Sequence, residues 1–302
     1  MQIEKVLVPM DFSPPSRLAL DHAIAFARKF RAKLTLLHVV ESPTGLTYTF
    51  PTAAEKIEKE HCLQAQRMLS TLVGPEDQDD LDVQTLVKTG EIEDQILSTV
   101  REEGTSLLVM GTHGRGLVSR SLIGSVTEKV LHKVLIPVLT VCHAARFPAF
   151  DRILFATDLS EPSKEGSRFV LELARITGSN LIALHAVDVG LEGGAEAAVY
   201  LGEQRLEEAR ARLDEFKAEA FQQKIKVETV LAEAPVADTI LKAAEENSAD
   251  LIVITIQKSG TLQRILRGSI AERIIREASI PVLSIPAGAQ EKSQQTEETE
   301  AA

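Results

Sequence analysis

Tryptophan is absent from this chain of 302 residues, and with two tyrosines and ten phenylalanines the aromatics amount to only 4%. Its core must therefore be aliphatic, which suits the Val/Ile/Leu-rich strands of a parallel sheet covered on both faces. Cysteine is as scarce. Cys62 and Cys142 stand far apart and in no motif, which excludes a disulfide scaffold and leaves two reduced, mostly buried thiols as the expectation. No apolar run approaches the ~18 residues of a membrane span, and the opening Met1-Gln-Ile-Glu-Lys-Val-Leu-Val-Pro-Met-Asp-Phe-Ser13 has no signal-peptide core. A cytoplasmic protein away from membranes is expected. Basic charge is also short: 33 Lys+Arg face 44 Asp+Glu, a net charge of -11, with most of the excess acid beyond Arg146. Without a basic stripe, nucleic acid is an improbable partner. Any phosphate must be held mainly by main-chain N–H groups and a few local side chains.

Missing motifs narrow the chemistry further. The chain has no Gly-Lys-Ser/Thr, so there is no Walker A loop, and no Gly-x-Gly-x-x-Gly follows the first strand. Neither His-x-Gly-His nor Ser-Gly-Gly-x-Asp-Ser occurs, and no His/Cys/Asp cluster has metal-ligand spacing.

What the chain does have is an internal repeat. Val6-Leu-Val-Pro-Met-Asp-Phe-Ser13 matches Ile153-Leu-Phe-Ala-Thr-Asp-Leu-Ser160, and Leu36-Leu-His-Val-Val40 matches Ala183-Leu-His-Ala-Val187. Ser106-Leu-Leu-Val-Met110 then matches Asp250-Leu-Ile-Val-Ile254, Gly124-Ser125 matches Gly268-Ser269, and Ile136-Pro-Val-Leu-Thr140 matches Ile280-Pro-Val-Leu-Ser284. The order is preserved, and a period of about 145 residues is that of a duplicated domain. Domains are expected over 1–142 and 151–287, with a linker at 143–150 and an acidic, disordered tail over 288–302.

In each copy short apolar runs alternate with amphipathic stretches. The first copy predicts strands at 3–8, 33–40, 82–88, 106–111 and 135–141. Helices are expected over 16–30, with Leu20, Ala23, Ile24 and Ala27 on one face, and over 53–73, 91–103 and 125–133. The second copy predicts strands at 152–157, 180–187, 225–231, 250–255 and 280–285, and a long helix within 199–223 after a mobile loop, Gly190-Leu-Glu-Gly-Gly-Ala195. Strands alternating with helices form a parallel sheet through right-handed crossovers, an α/β fold.

In such sheets ligands bind beyond the carboxyl ends of the strands, where strand order reverses. Two segments of the first copy fall there: Pro9-Met10-Asp11 and Gly111-Thr-His-Gly114. The latter continues through Arg115 and Arg120 to Gly124-Ser125, where a helix begins. Gly111 and Gly114 are expected to let the backbone turn and approach a ligand. The free amides of the helix start attract an anion, with Ser125 adding a hydroxyl and His113, Arg115 and Arg120 adding donors. Residues 111–125 contain no acid. Asp11 reads either as a helix N-cap, a role Ser13 also suits, or as a ligand contact. His38 and His185, inside apolar strand ends, read as hydrogen-bonded core residues, and His113 is equally open between solvent and phosphate.

The pattern Gly111-x2-Gly114-x9-Gly124-Ser125 resembles the ATP-binding signature of the universal stress protein family. The opening Val6–Ser13 block, His38-Val-Val40 and Pro137-Val-Leu139 resemble the same family, and the resemblance covers nearly the whole chain twice. It implies two tandem doubly wound, Rossmann-like domains, each a five-stranded parallel sheet of order 3-2-1-4-5. Residue by residue, it implies that Pro9, Met10, Asp11, Val39 and Val40 surround adenine and ribose. Met110, Gly111, His113, Gly114 and Arg115 would follow the ribose and phosphates, which Gly124, Ser125 and Val126 would hold. ATP, ADP or AMP is the implied ligand, with Asp11 meeting the ribose or approaching a phosphate-bound Mg2+. In the second copy Ala156 replaces Pro9, Thr255 replaces Gly111 and Lys258 replaces Gly114, with Gly260 displaced, so little or no nucleotide is expected there. Lys258, Arg264 and Arg267 read there as a solvated basic surface or an anion site built from side chains.

A stress-response regulator that binds nucleotide through its first domain, acting on an unknown protein partner, is the function this implies. A weak Mg-dependent ATPase and a nucleotide-independent scaffold are the alternatives. The last strand of each copy is expected at a sheet edge, giving an intrachain pseudo-dimer and, through further pairing, a homodimer of chains.

Overall fold

The computed structural model describes residues 3–41, 51–74, 80–112, 123–142, 144–145, 148, 150–187, 195–233, 235–256 and 270–287. The chain divides into two units, Gln2–Phe147 and Pro148–Ala302. His113, Gly114, Arg115 and Arg120, the second-copy positions Lys258 to Ser269, and the tail lie outside the described residues.

The first unit runs β1 (Lys5–Pro9), α1 (Pro14–Phe30), β2 (Lys33–Val40), α2 (Pro51–Ser70), β3 (Val83–Thr89), α3 (Ile92–Glu102), β4 (Leu107–Gly111), α4 (Ser125–Lys133) and β5 (Val138–Val141). Its strands lie in the order β3-β2-β1-β4-β5, parallel throughout. This is the doubly wound order the resemblance implied, with its reversal between β1 and β4. The second unit repeats it with β6 (Arg152–Ala156), α5 (Lys164–Thr177), β7 (Asn180–Val187), α6 (Ala195–Gln222), β8 (Val227–Glu233), α7 (Val236–Glu246), β9 (Leu251–Ile256), α8 (Ile270–Glu277) and β10 (Val282–Pro286), ordered β8-β7-β6-β9-β10.

Local chemistry explains the boundaries. Ser13 caps α1 by accepting from the Ser16 N–H, and Pro14 and Pro15 occupy the first turn, where their missing donors cost nothing. The buried face of α1 includes Leu20, Ala23, Ile24 and Ala27 as the spacing predicted, together with Phe26. β5 and β10 start three and two residues later than the apolar runs suggested, just after Pro137 and Pro281, which cannot donate to a ladder. α6 starts at Ala195, earlier than expected and on the last residue of the presumed loop. Ala195-Glu-Ala-Ala is strongly helix-forming, and that preference overrides the glycines before it.

The central strands of the two units pair differently. β1 and β4 are in register only at Val6↔Leu107 and Leu7↔Leu108. β6 and β9 stay paired two residues further, through Phe155↔Val253 and Ala156↔Ile254. Proline accounts for the difference. The Met10 N–H donates to Leu37 O on β2 (2.7 Å), and alternate residues of a strand face opposite neighbours, so position 9 faces β4. Pro9 has no N–H to offer there, whereas Ala156 at the matching place has one. The first sheet therefore splits between its two middle strands.

A second exchange lies beside it. A Cβ on Gly111 would stand 3.0 Å from the Pro15 carbonyl carbon and oxygen, so its lack of a side chain lets the first turn of α1 lie against β4. In the second unit Thr255 occupies this strand position, and there the glycine is Gly166 on α5, where an added Cβ would collide with Thr255 Oγ1. Bulk has moved from helix to strand, and Thr255 Oγ1 is left without a hydrogen-bond partner in the described structure.

Two outcomes follow. In Pro9→Ala the introduced amide should exchange slowly with deuterium, because it completes the β1–β4 ladder; rapid exchange would contradict the account of the split. Gly166→Ala should cost about 1–3 kcal/mol in urea unfolding, as overpacking does, and Thr255→Gly in the same chain should recover most of it.

Candidate functional site

The split between β1 and β4 opens into a cavity of about 820 Å3 at the carboxyl ends of the strands, within the range of small-molecule sites. Pro9, Met10 and Asp11 line it from β1 and the turn that follows, Val39 and Val40 from β2, and Met110 and Gly111 from β4. Gly124, Ser125 and Val126 close it from the start of α4. Every residue the sequence singled out for the site, apart from His113, Gly114, Arg115 and Arg120, which lie outside the described residues, thus lines one surface.

The turn after β1 is fixed by Asp11. Its Oδ1 accepts from the Ser13 N–H (3.0 Å) and the Ser13 hydroxyl (2.6 Å), an Asx-turn. The cap of α1 belongs to Ser13, which settles the first of the two roles left open for Asp11: it shapes the turn and does not cap the helix. Phe12 is forced to a φ of 63°, the left-handed region, and its ring lies 4.6 Å from that of His38. The second unit repeats this turn with Leu159 at φ 49°. There Asp158 Oδ1 accepts from the Ser160 N–H (3.0 Å), the Ser160 hydroxyl (2.8 Å) and the Ser163 hydroxyl (2.6 Å). Burial works to raise the Asp158 pKa, but the hydrogen bonds from Ser163 and Ser160 outweigh it and hold the carboxyl below its ordinary value.

On the other side of the split, the ends of the segment between β4 and α4 are pinned. Thr112 N–H donates to Val141 O (3.0 Å), Gly124 N–H donates to Thr112 O (2.7 Å), and the Thr127 hydroxyl donates to Gly111 O (2.9 Å). These bonds draw the first residue of α4 against the end of β4. Gly124 sits at the N-cap with no side chain to bond the first turn. Among the described residues the leading amides of α4 thus have neither an intrahelical acceptor nor a side-chain cap, and the helix dipole adds positive potential beside them. Behind this turn Glu93 on α3 pairs with Lys133 and with Lys129 (3.4 Å) on α4. The hydrogen bond from Lys133 holds the Glu93 carboxyl below its ordinary value. Gly111, expected to serve a sharp turn, is instead an extended strand residue whose missing side chain makes room for Pro15.

Several wall residues escaped the sequence reading. His61, Gln64, Ala65 and Met68 come from α2, Ile92 and Ile96 from α3, and His38 and Glu41 from the end of β2. The helical periodicity of 53–73 signalled a helix but not that one face of it crosses the strand ends. Met10, Met68 and Met110 give the wall three thioethers, an adaptable apolar surface. His38, expected in the core, is half-buried and part of the wall. Its Nδ1 lies 2.6 Å from Met10 O, and His185 makes the matching bond to Thr157 O (2.8 Å).

The charge on the described wall is acidic, from Asp11 and Glu41, and the wall includes no Lys or Arg among the described residues. An anion would rest there on main-chain amides. Among the described residues no group of three or more His, Cys, Asp or Glu is placed to hold a metal ion, and no helix is long and apolar enough to cross a membrane.

Comparison with known proteins agrees with the repeat. The family model of the universal stress protein family matches residues 2–141 and again 149–286. A universal stress protein of Mycolicibacterium smegmatis is 26% identical over 296 residues, 93% of this chain and 96% of that one. One of Methanocaldococcus jannaschii is 34% identical over 140 residues, 45% of this chain and 82% of its own length. The crystal structure of a universal stress protein from Archaeoglobus fulgidus shares the fold, with a TM-score of 0.72 at 20% identity, covering 95% of this chain and 97% of that one. Matched in both halves and folded twice into the same five-stranded sheet, the chain belongs to the universal stress protein family, as a member with two tandem domains.

Proposed function

We propose that the first domain binds an adenine nucleotide, ATP foremost, and that the protein is a cytoplasmic stress-response regulator whose state follows that ligand. One observation carries the reading: the uncapped start of α4 and the split ends of β1 and β4 face a single cavity of about 820 Å3. The apolar part of the wall, with Met10, Val39, Val40 and Met110, suits a purine. The amides at Ser125 and Val126, next to a Gly124 without a side chain, suit phosphate oxygens, and the segment carrying His113, Gly114 and Arg115 joins β4 to them. Mg2+ fits only as a partner of the phosphates. Asp11 is the single carboxylate at the turn, its Oδ1 already accepts two hydrogen bonds, and Mg2+ is commonly held by one or two carboxylates together with substrate phosphates.

The second domain, with its middle strands zipped to Ala156 and Thr255 in place of Gly111, is proposed to hold little or no nucleotide. The family resemblance supports a homodimer of chains as part of the same proposal.

Isothermal titration should show one ATP site per chain; two equivalent sites would contradict the division of labour. Gly124→Val, at a φ of -60° and ψ of 140° that any residue adopts, should weaken ATP at least about tenfold, the loss of one or two hydrogen bonds to phosphate. Its melting temperature should stay unchanged, and adenosine should be less affected than ATP. Equal ATP affinity in the folded variant would remove the phosphate cradle from the proposal. Incubation with Mg-ATP, followed by measurement of released phosphate, separates a binder from a slow hydrolase.

A further inference from the structure

We propose that His38 reads the nucleoside portion of the ligand, its Nε2 accepting a hydrogen bond from a ligand N–H or O–H group. This rests on nucleotide binding in the first domain and goes beyond it by naming what the cavity selects.

A carbonyl oxygen can only accept, so the 2.6 Å contact with Met10 O requires the proton on Nδ1. In the neutral ring the other nitrogen, Nε2, is then a bare acceptor. Nε2 has no protein partner among the described residues. The imidazole is half-buried in the cavity wall, on β2 directly before Val39 and Val40. The Phe12 ring, 4.6 Å away and tilted by 38°, restricts its orientation. The matching bond between His185 and Thr157 O in the second domain shows that the Nδ1 contact belongs to the fold. Nε2 is therefore the nitrogen left for a ligand.

A ligand that covers this acceptor without a donor takes away its water and returns nothing, so binding is selective for a donor there. In a nucleotide two groups qualify: the exocyclic amine of the base and a ribose hydroxyl. Inosine triphosphate replaces the amine with a carbonyl, while 2′-deoxy- and 3′-deoxy-ATP each lack one hydroxyl. The wild-type chain at pH 8 should bind ATP about tenfold more tightly than one of these three, the scale of a single hydrogen bond.

The informative substitution is His38→Asn. Its amide N–H can still donate to Met10 O, but it carries nothing at the Nε2 position. It should abolish the preference for ATP over that one analogue and leave the melting temperature and the other analogues' relative affinities in place. A purely structural histidine would lower the melting temperature and weaken all four nucleotides alike. Should His38→Asn not fold, nitrogen-15 spectra of the wild-type imidazole decide the matter: ATP should shift the Nε2 resonance in the direction of an accepted hydrogen bond.

Equal affinity of the wild-type chain for all four nucleotides would overturn the proposal. So would an unchanged preference in His38→Asn, or an Nε2 resonance indifferent to saturating ATP. If the wild-type chain binds no ATP at all, the nucleotide reading itself has failed, a result distinct from these.

Discussion

Beyond Leu7 and Leu108 the two middle strands of the first domain no longer share a register. β1 continues along β2 as far as Pro9↔Leu37, and β4 continues along β5 as far as Gly111↔Val141. In a doubly wound sheet the crossovers leave in opposite directions at this point, which is where a cleft forms. A proline at the β4-facing position keeps the gap from closing. The polar groups at its margins are satisfied by other means: Asp11 by Ser13, Met10 O by His38, Thr112 by Val141 and Gly124. Among the described residues the leading turn of α4, which lines the opening, has no side-chain cap. An anion-seeking helix end and an apolar slot thus share one cavity because two strands part.

The second domain shows how little change is needed to alter such a site. Its fold, its aspartate turn, its left-handed residue and its histidine–carbonyl bond are all retained. The exchange of Pro9 for Ala156 lets the middle strands pair two residues further, and the exchange of Gly111 for Thr255 is balanced by Gly166 on the facing helix. There the aspartate accepts from the Ser163 hydroxyl as well as from Ser160. Each change satisfies or fills something within the protein itself. The retained features are those that hold β6, β7 and α5 in place, which separates scaffold from site more clearly than the first domain alone could.

The structure gives some residues a role other than the one their sequence context suggests. The sequence suggests that Gly111 is a turn glycine facing a ligand, yet it lies in extended strand and makes room for the Pro15 backbone. Asp11 and Ser13 competed for one cap; the helix took Ser13, and the aspartate organised the turn before it. An apolar strand suggests a core position for His38, which the structure shows half-buried at the cavity wall. Alternation along a strand tells which face a side chain takes but not where the sheet ends, and at the carboxyl end of β2 that face opens onto the cavity.

The sequence by itself determined the duplication, the α/β class, most strand and helix positions and the segments that meet at the strand ends. These are written in local patterns: apolar runs, helical periodicity, a glycine and serine at a helix start. Only the tertiary structure decided that β1 and β4 part after two pairs, that α2 and α3 wall the cavity with Met68 and Ile96, and that a histidine joins it. Those outcomes depend on hydrogen-bond direction between strands distant in sequence and on which helix face crosses which strand end. Such relations are set when separated segments pack together, and no single segment encodes them.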